Sequence, residues 1–155
     1  MAAQLTVGTP LVGPLTLVCE GGALTELRFG GTPAPVTTDT PPLLQEAARQ
    51  LEAYFAGRLQ QFDLPLRPSG TPFQQAVWRA LCEIPYGEVR SYGAIAARIG
   101  SPKASRAVGM ANHNNPIAIV IPCHRVIGAS GSLTGYGGGL PIKERLLRLE
   151  GYLLL

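Results

Sequence analysis

The segment 61–70, with the sequence QFDLPLRPSG, constrains the fold most because it divides the chain into two parts. It holds two prolines, which cannot donate backbone hydrogen bonds, and the charge balance changes sign across it. Residues 1–66 contain three arginines against six acidic residues, whereas residues 67–155 contain ten lysines and arginines against four acidic residues. We therefore predict an N-terminal domain over 1–66 and a basic C-terminal domain over 67–155, in a chain long enough to bury a hydrophobic core.

The first 30 residues have the pattern of a small antiparallel meander. Apolar and polar residues alternate over 4–30, and Glu20-Gly21-Gly22 provides a hairpin turn between the second and third strands. A helix is predicted to follow, with Thr40 as its N-cap, Pro41 at its first position and Gly57 at its end. Its apolar stripe consists of Leu44, Ala47, Ala48, Leu51, Tyr54 and Phe55.

The C-terminal part is predicted to consist mostly of short helices, which makes the whole fold α+β. Thr71 and Gln74 form a capping box for the helix FQQAVWRALCEI. Ser91 caps a second helix, YGAIAARIG, which Gly100 ends, and Ser101-Pro102 starts a third, KASRAVGMANHN. Two short helices joined by a glycine-centred turn match a helix-turn-helix.

The third of these helices presents a small-residue face around one long basic side chain, Arg106. The minor groove of DNA is only about 6 Å wide, so a helix that enters it must be stripped of large side chains. Arginine favours a narrow minor groove, and side chains inserted there can open a base stack. Packing against a neighbouring helix explains the small residues equally well. The basic charge likewise fits either nucleic acid or a solvated surface.

A cysteine follows an apolar run in residues 114–128, NNPIAIVIPCHRVIG. We predict a buried strand over 117–121, followed by Cys123 and His124. Adjacent side chains do not face each other in regular structure, so a proton can pass between these two residues only through a sharp turn or a bridging water. A neighbouring imidazole can generate the thiolate, which is the nucleophilic form.

The histidine needs an orienting partner, and the C-terminal part offers four acidic residues. Glu150 lies near the end of the amphipathic helix PIKERLLRLEG, closed by Gly151. A carboxylate is electrostatically unfavourable beside a helix C-terminus, which suggests a role other than helix stability. The other candidates are Glu83, Glu88 and Glu144.

The cysteine count and the hydropathy exclude several classes of protein. Three cysteines without CxxC spacing argue against a disulfide framework or a cysteine-rich zinc site, and Cys19 and Cys82 are interpreted as packing residues. No apolar run approaches the ~18 residues of a membrane span, and the N-terminus lacks the basic head of a signal peptide. We expect a cytoplasmic protein, associated with the nucleoid in a bacterium or archaeon, with no metal, no cofactor and no membrane partner.

Several blocks of the C-terminal part resemble the O6-alkylguanine-DNA alkyltransferases, also named methylated-DNA–protein-cysteine methyltransferases. The resemblance covers most of residues 71–151, in order and with few gaps, while the N-terminal part matches in size and plan. The blocks are TPFQQAVW, PYGEVRSYGAIA, RAVGMANHNNPIAIVIPCHRVI and GYGGGLPIKERLLRLEG.

The resemblance implies direct-reversal DNA repair. Cys123 would accept the alkyl group of an O6-alkylguanine in duplex DNA, with O4-alkylthymine as a second candidate lesion, in one irreversible turnover that requires base flipping. His124 would deprotonate the thiol through a water, Glu150 would orient His124, and Asn115 would brace the turn. Tyr92 would lie by the phosphate and ring nitrogen of the target nucleotide, and Lys143 would polarise Tyr92 or the leaving oxygen.

The resemblance also implies DNA contacts and a base pocket. Arg106 would replace the flipped base, and further DNA contacts would come from Tyr92, Gly93, Ser101, Gln74 and Ala129. The pocket and its loop would be formed by Val126, Tyr136 and glycines 137–139, which include Gly137 and Gly138. The partner would be double-stranded DNA bound by a monomer, with cooperative clustering of copies as a further expectation.

Two features set this chain apart from some relatives. Some bind damage without repair because tryptophan replaces the cysteine, whereas this chain has Cys123. Others hold zinc in the N-terminal domain, where this chain has Cys19 and no histidine.

Two other functions stay open from the residues alone. They are a cysteine hydrolase or acyltransferase using Cys123, His124 and either Glu150 or Asn115, and a helix-turn-helix regulator or damage-sensing binder with a structural thiol.

Overall fold

The computed structural model describes residues 2–131, 133 and 136–152. The chain divides into two compact units, with the division between Pro68 and Ser69. Each unit has its own secondary structure and its own buried residues. None of the helices in the described ranges is long and apolar enough to cross a membrane.

The N-terminal unit contains the predicted antiparallel meander. Strands β1 (Ala3–Val7), β2 (Leu15–Glu20) and β3 (Ala23–Phe29) pair in that order. The predicted hairpin turn lies between β2 and β3, and both of its glycines have positive φ, 58° at Gly21 and 80° at Gly22. Glycine adopts this conformation without steric conflict, so the turn can match the twist of its strands.

Helix α1 (Pro42–Phe55) provides the rest of the N-terminal core. Its buried residues include Leu44, Leu51 and Tyr54, as its apolar stripe predicts. The predicted N-cap is one residue too early, because Pro41 occupies the cap position and the Thr40 hydroxyl instead accepts a bond from the Thr37 amide. A proline at the cap leaves no side-chain oxygen to bond the first free amides of the helix.

In its described residues, the C-terminal unit has four α-helices, α2 (Pro72–Leu81), α3 (Tyr92–Arg98), α4 (Ser105–His113) and α5 (Leu140–Leu149). The Thr71–Gln74 capping box and the Ser91 cap are present as predicted. Helix α4 begins later than predicted, because residues 101–104 form a turn closed by a bond from the Ala104 amide to the Ser101 carbonyl. Helices α3 and α4 pack as a helix-turn-helix pair, and Gly100 between them has φ of 80°.

The predicted buried strand over 117–121 is wrong. The segment is buried, but it turns, and Ile119 has φ of 70°. A β-branched residue is strained in that conformation, so the surrounding structure must hold it there. The chain then enters a single turn of 3-10 helix, Cys123–Arg125, and a short strand β5 (Val126–Ile127) that pairs in parallel with β4 (Arg90–Ser91).

The two remaining cysteines differ in their surroundings. Cys19 is buried in β2, in agreement with its interpretation as a packing residue. Cys82 follows the last residue of α2 and is exposed, so its interpretation as a packing residue is wrong. The apolar stripe of α2 points inward through Val77 and Leu81, and Cys82 lies one position beyond that stripe.

Candidate active site

The 3-10 turn buries the Cys123 thiol and fixes its backbone. Cys123 is 4% exposed, and its amide donates to the Ile121 carbonyl at 2.7 Å. Burial raises the pKa of the thiol, since a thiolate loses hydration there. A hydrogen bond from Asn115, the positive charge of Lys143 and a hydrogen bond from Tyr136 act in the opposite direction. The site thus contains the groups that would stabilise a thiolate once it forms.

Asn115 spans the turn that precedes the thiol. Its side-chain amide donates to the Ile121 carbonyl at 2.8 Å, and its carbonyl oxygen accepts from the Ile117 amide at 3.0 Å. These two bonds join the ends of the turn that contains strained Ile119. The sequence placed Asn115 in the site by resemblance, and the geometry places its side chain across this turn.

His124 is fully buried and pairs with Glu150. Its Nε2 lies 2.7 Å from Glu150 Oε2. Burial lowers the pKa of His124 and outweighs the opposite effect of Glu150, so the ring is neutral at physiological pH. A carboxylate only accepts, so a neutral ring must carry its hydrogen on Nε2. The bare nitrogen is then Nδ1, which can accept a proton.

Arg125 completes the cluster, and the sequence analysis did not select it. Its Nε and Nη2 donate to the two oxygens of Glu150 at 2.7 and 3.0 Å, and its Nη1 donates to the Ile84 carbonyl at 2.7 Å. Burial alone would raise the pKa of Glu150, but the bonds from His124 and Arg125 hold it at about 2. Glu150 therefore stays ionised, and Arg125 neutralises its charge.

Lys143, on α5, brings a positive charge to the thiol. It is completely buried, and its Nζ donates to the Val126 carbonyl at 2.5 Å. Burial lowers the pKa of Lys143 to about 8, against the attraction of the Cys123 sulfur. Its charge therefore favours the ionised form of the thiol at neutral pH.

Helix α4 has one face in the core and one face in solvent. Arg106 and Met110 are exposed, whereas Val108, Ala111 and Asn112 are buried. The predicted small-residue face is partly a contact with α3, because a side chain at Gly109 would meet the Tyr92 ring at 3.8 Å.

Metal ligands do not cluster in the described ranges. No group of three or more histidine, cysteine, aspartate or glutamate side chains there is arranged to hold an ion.

Comparison with known families decides between the possible functions of such a cluster. Residues 6–68 match the family model for the 6-O-methylguanine DNA methyltransferase ribonuclease-like domain, and residues 72–152 match the model for the DNA binding domain of the same family. The chain belongs to the 6-O-methylguanine DNA methyltransferase family.

Individual members of the family are similar over nearly their whole length. A methylated-DNA–protein-cysteine methyltransferase of Methanosarcina acetivorans is 70% identical over 145 residues, which are 90% of this chain and 93% of that protein. The crystal structure of the Mycobacterium tuberculosis O6-methylguanine methyltransferase has a TM-score of 0.86 and 54% identity, over 97% of this chain and 93% of that one. The M. tuberculosis protein OGT in complex with DNA has a TM-score of 0.85 and 55% identity, over 95% and 91% of the two chains.

The methyltransferase fold brings only some of the predicted site residues together. The cluster around the thiol contains His124, Glu150, Asn115, Lys143, Tyr136 and Val126. A second group lies on or next to α3 and α4 and includes Tyr92, Gly93, Ser101 and Arg106. Gly137 and Gly138 form a turn next to Tyr136, with Gly137 near the His113 carbonyl.

The two remaining predicted DNA contacts of this methyltransferase, Gln74 and Ala129, lie on α2 and in the loop after β5. Gln74 uses its side-chain oxygen to accept from the Thr71 amide at 2.9 Å, inside the capping box. Ala129 is exposed in the loop after β5.

Sequence reasoning missed Arg125 and Asn112, which both touch the cluster directly. The one sequence feature that could have identified Arg125 is its position directly after Cys123-His124. No sequence feature indicated Asn112, since its contact depends on which face of α4 is turned toward the core.

Proposed function

We propose that this protein repairs O6-alkylguanine in duplex DNA by moving the alkyl group to its own Cys123. One observation carries the proposal. It is the buried pair in which the Glu150 carboxylate holds His124, the residue next to Cys123, as the Nε2–H tautomer, which leaves Nδ1 able to accept a proton. Family membership supplies the substrate class, and O4-alkylthymine is a second candidate lesion.

The reaction transfers one carbon group and one proton. The proton leaves Cys123 and reaches His124 Nδ1 through a water, the route that the family resemblance implies. The sulfur then attacks the alkyl carbon, a C–S bond forms, and the bond from that carbon to O6 breaks. The electron pair passes to the guanine, where Lys143 or Tyr92 stabilises the charge. The thioether product gives the protein no route back, so each molecule acts once.

The alkylated oxygen must leave the duplex to reach a thiol that is 4% exposed. Extrusion of a nucleotide costs a few kcal/mol, and least for a base that pairs badly. We assign this step to α4, whose exposed Arg106 would fill the gap in the stack while Tyr92 lies by the flipped nucleotide. The C-terminal unit would thus bind DNA and accept the alkyl group, and the N-terminal unit would be structural. The protein would act as a monomer in the cytoplasm, with clustering on DNA as a further expectation.

The experiment is a comparison of the native protein with Cys123→Ala on a duplex that carries one O6-methylguanine with a radiolabelled methyl group. Label should move to the native protein only, while both proteins bind the duplex. Binding by the native protein without transfer would instead support a damage-sensing binder. Turnover of a small acyl ester by the native protein, without methyl transfer, would support the cysteine hydrolase.

A further inference from the structure

Asn112 reaches the backbone of Cys123 from the buried face of α4. It is 2% exposed, and its Nδ2 donates to the Cys123 carbonyl at 3.2 Å. Because that carbonyl can only accept, the amide group must turn its nitrogen toward it. The orientation of the Asn112 amide is therefore fixed, and its Oδ1 points elsewhere.

Two buried acceptor atoms, one on Asn112 and one on His124, need the same thing, a hydrogen-bond donor. Asn112 Oδ1 and His124 Nδ1 are both buried, and neither has a hydrogen-bond partner among the residues that the structure describes. Both are acceptors, since His124 carries its hydrogen on Nε2. A buried acceptor without a donor destabilises a protein by about 1–3 kcal/mol, and buried waters commonly satisfy such groups. A water has two hydrogens and can donate one to each of these atoms.

We propose that Asn112 is a positioning residue, which holds the water that carries the Cys123 proton to His124. The proposal rests on the proposed alkyl transfer and adds a residue to it. The water would donate one hydrogen to Asn112 Oδ1 and the other to His124 Nδ1, and its oxygen would accept from the thiol. That makes three hydrogen bonds, the usual number for a buried water.

The third bond has a chemical purpose. A water held only by the thiol and His124 can rotate and direct a hydrogen away from the imidazole. With one hydrogen bonded to Asn112, the other is aimed at Nδ1, and the oxygen lone pair faces the sulfur. As the thiol proton joins the water, the water passes its own hydrogen to Nδ1, and Asn112 neither gains nor loses a proton. The charged and titratable groups around this path are Lys143, Glu150, Arg125 and Tyr136.

The test is the rate of methyl transfer from O6-methylguanine duplex DNA as a function of pH. The proteins compared are the native protein, Asn112→Ala and the control Asn114→Ala, in which the changed residue is an exposed neighbour on the same helix end. At pH 7 we expect Asn112→Ala to react at least about 10-fold more slowly, a part of the effect of positioned proton transfer. As the pH rises, hydroxide increasingly forms the thiolate without the relay, so the two rates should converge.

A merely structural role predicts a different profile. Equal fold losses at every pH, or no loss at pH 7, would overturn the assignment to Asn112. The control should follow the native profile throughout. A native protein that takes no methyl group at any pH would overturn the proposed function as well, so the two failures are distinguishable.

A second measurement does not depend on the folding of a variant. In a high-resolution crystal structure of the native protein, we expect an ordered water within about 3.2 Å of both Asn112 Oδ1 and His124 Nδ1. A different donor on Asn112 Oδ1, or a dry site, would overturn the proposal.

Discussion

At the scale of single residues, Glu150 shows how the cluster depends on charge. A carboxylate directly after the last turn of a helix opposes the helix dipole, and burial adds a second unfavourable effect. Bonds from His124 and the two-point contact of Arg125 outweigh both effects. The same carboxylate fixes the histidine tautomer, so one residue sets both the charge balance and the direction of proton transfer.

The low pKa of Glu150 makes a prediction about stability in acid. Its pKa is about 2 in the folded protein against 4.5 ordinarily, so its contribution is present above pH 4.5 and is lost as the pH falls toward 2. In Glu150→Gln, Arg125 is left buried without a counter-charge, which destabilises the protein by roughly 3–5 kcal/mol at pH 7. We expect that difference in unfolding free energy to shrink by about 3 kcal/mol between pH 5 and pH 2.

Urea unfolding of both proteins across this pH range measures the effect. Glu26→Gln is a suitable control, because Glu26 forms an exposed ion pair with Arg28 in the N-terminal unit. A difference between native protein and Glu150→Gln that is the same at pH 2 and pH 5 would show that Glu150 is not held ionised by its partners.

The residue scale also shows the limit of sequence reasoning. Glu150 could be selected because its position is unfavourable for a helix, and that argument depends only on local sequence. Arg125 and Asn112 could not be selected from the sequence, because their contacts join segments that are 25 and 11 residues apart. Their partners depend on tertiary packing, which no local pattern records.

At the scale of elements, the caps of α2 and α3 could be predicted because they depend only on local sequence. The conformation of the segment 117–121 could not be predicted in this way. An uninterrupted apolar run indicates burial, but periodicity does not distinguish a buried strand from a buried turn. The turn depends on Asn115, which bonds across it, and on Ile119 in a conformation that isoleucine rarely adopts. The start of α4 was missed for a similar reason, since Ser101-Pro102 opens a turn with the same residues that open helices.

The capping box makes the second prediction. Thr71→Ala removes the oxygen that accepts from the Gln74 amide at 3.1 Å, so the protein should lose about 1 kcal/mol of unfolding free energy. Thermal or urea unfolding measures the loss. Thr40→Ala is the matched control, because Thr40 precedes α1 without capping it, and we expect a change within about 0.5 kcal/mol. Equal losses in the two variants would contradict the capping assignment.

Helix α4 makes the third prediction. Arg106→Ala should slow methyl transfer from duplex DNA far more than transfer from free O6-benzylguanine, because only the duplex leaves a gap in its base stack. Single-turnover rates on both substrates give the comparison. Arg148→Ala removes an exposed arginine from α5 and serves as the control for charge alone. Equal losses on the two substrates would remove Arg106 from the flipping step.

At the scale of the whole molecule, the charge asymmetry makes the fourth prediction. Residues 67–155 carry ten lysines and arginines against four acidic residues, so DNA binding should release counterions. The affinity of the full chain for an undamaged duplex should fall steeply and linearly on a log–log plot against salt concentration. Fluorescence anisotropy measures it, and an affinity independent of salt would contradict a phosphate-binding role for the basic part.

The same scale is where the sequence was most informative. The division into two parts followed from the two prolines of segment 61–70 and from the change of charge balance across it, which is a property of long segments. Errors of one to four residues at element ends did not affect it. The thiol cluster was located by a resemblance, and the structure added how His124, Arg125 and Glu150 share one ionised carboxylate.

The most direct test of the account is the intact mass of the native protein after incubation with excess duplex that contains one O6-methylguanine. We predict an increase of about 14 Da that stops at one per molecule and maps to Cys123, as expected for a nucleophile consumed by its own reaction. An unchanged mass, although the protein binds the duplex tightly, would contradict alkyl transfer to Cys123.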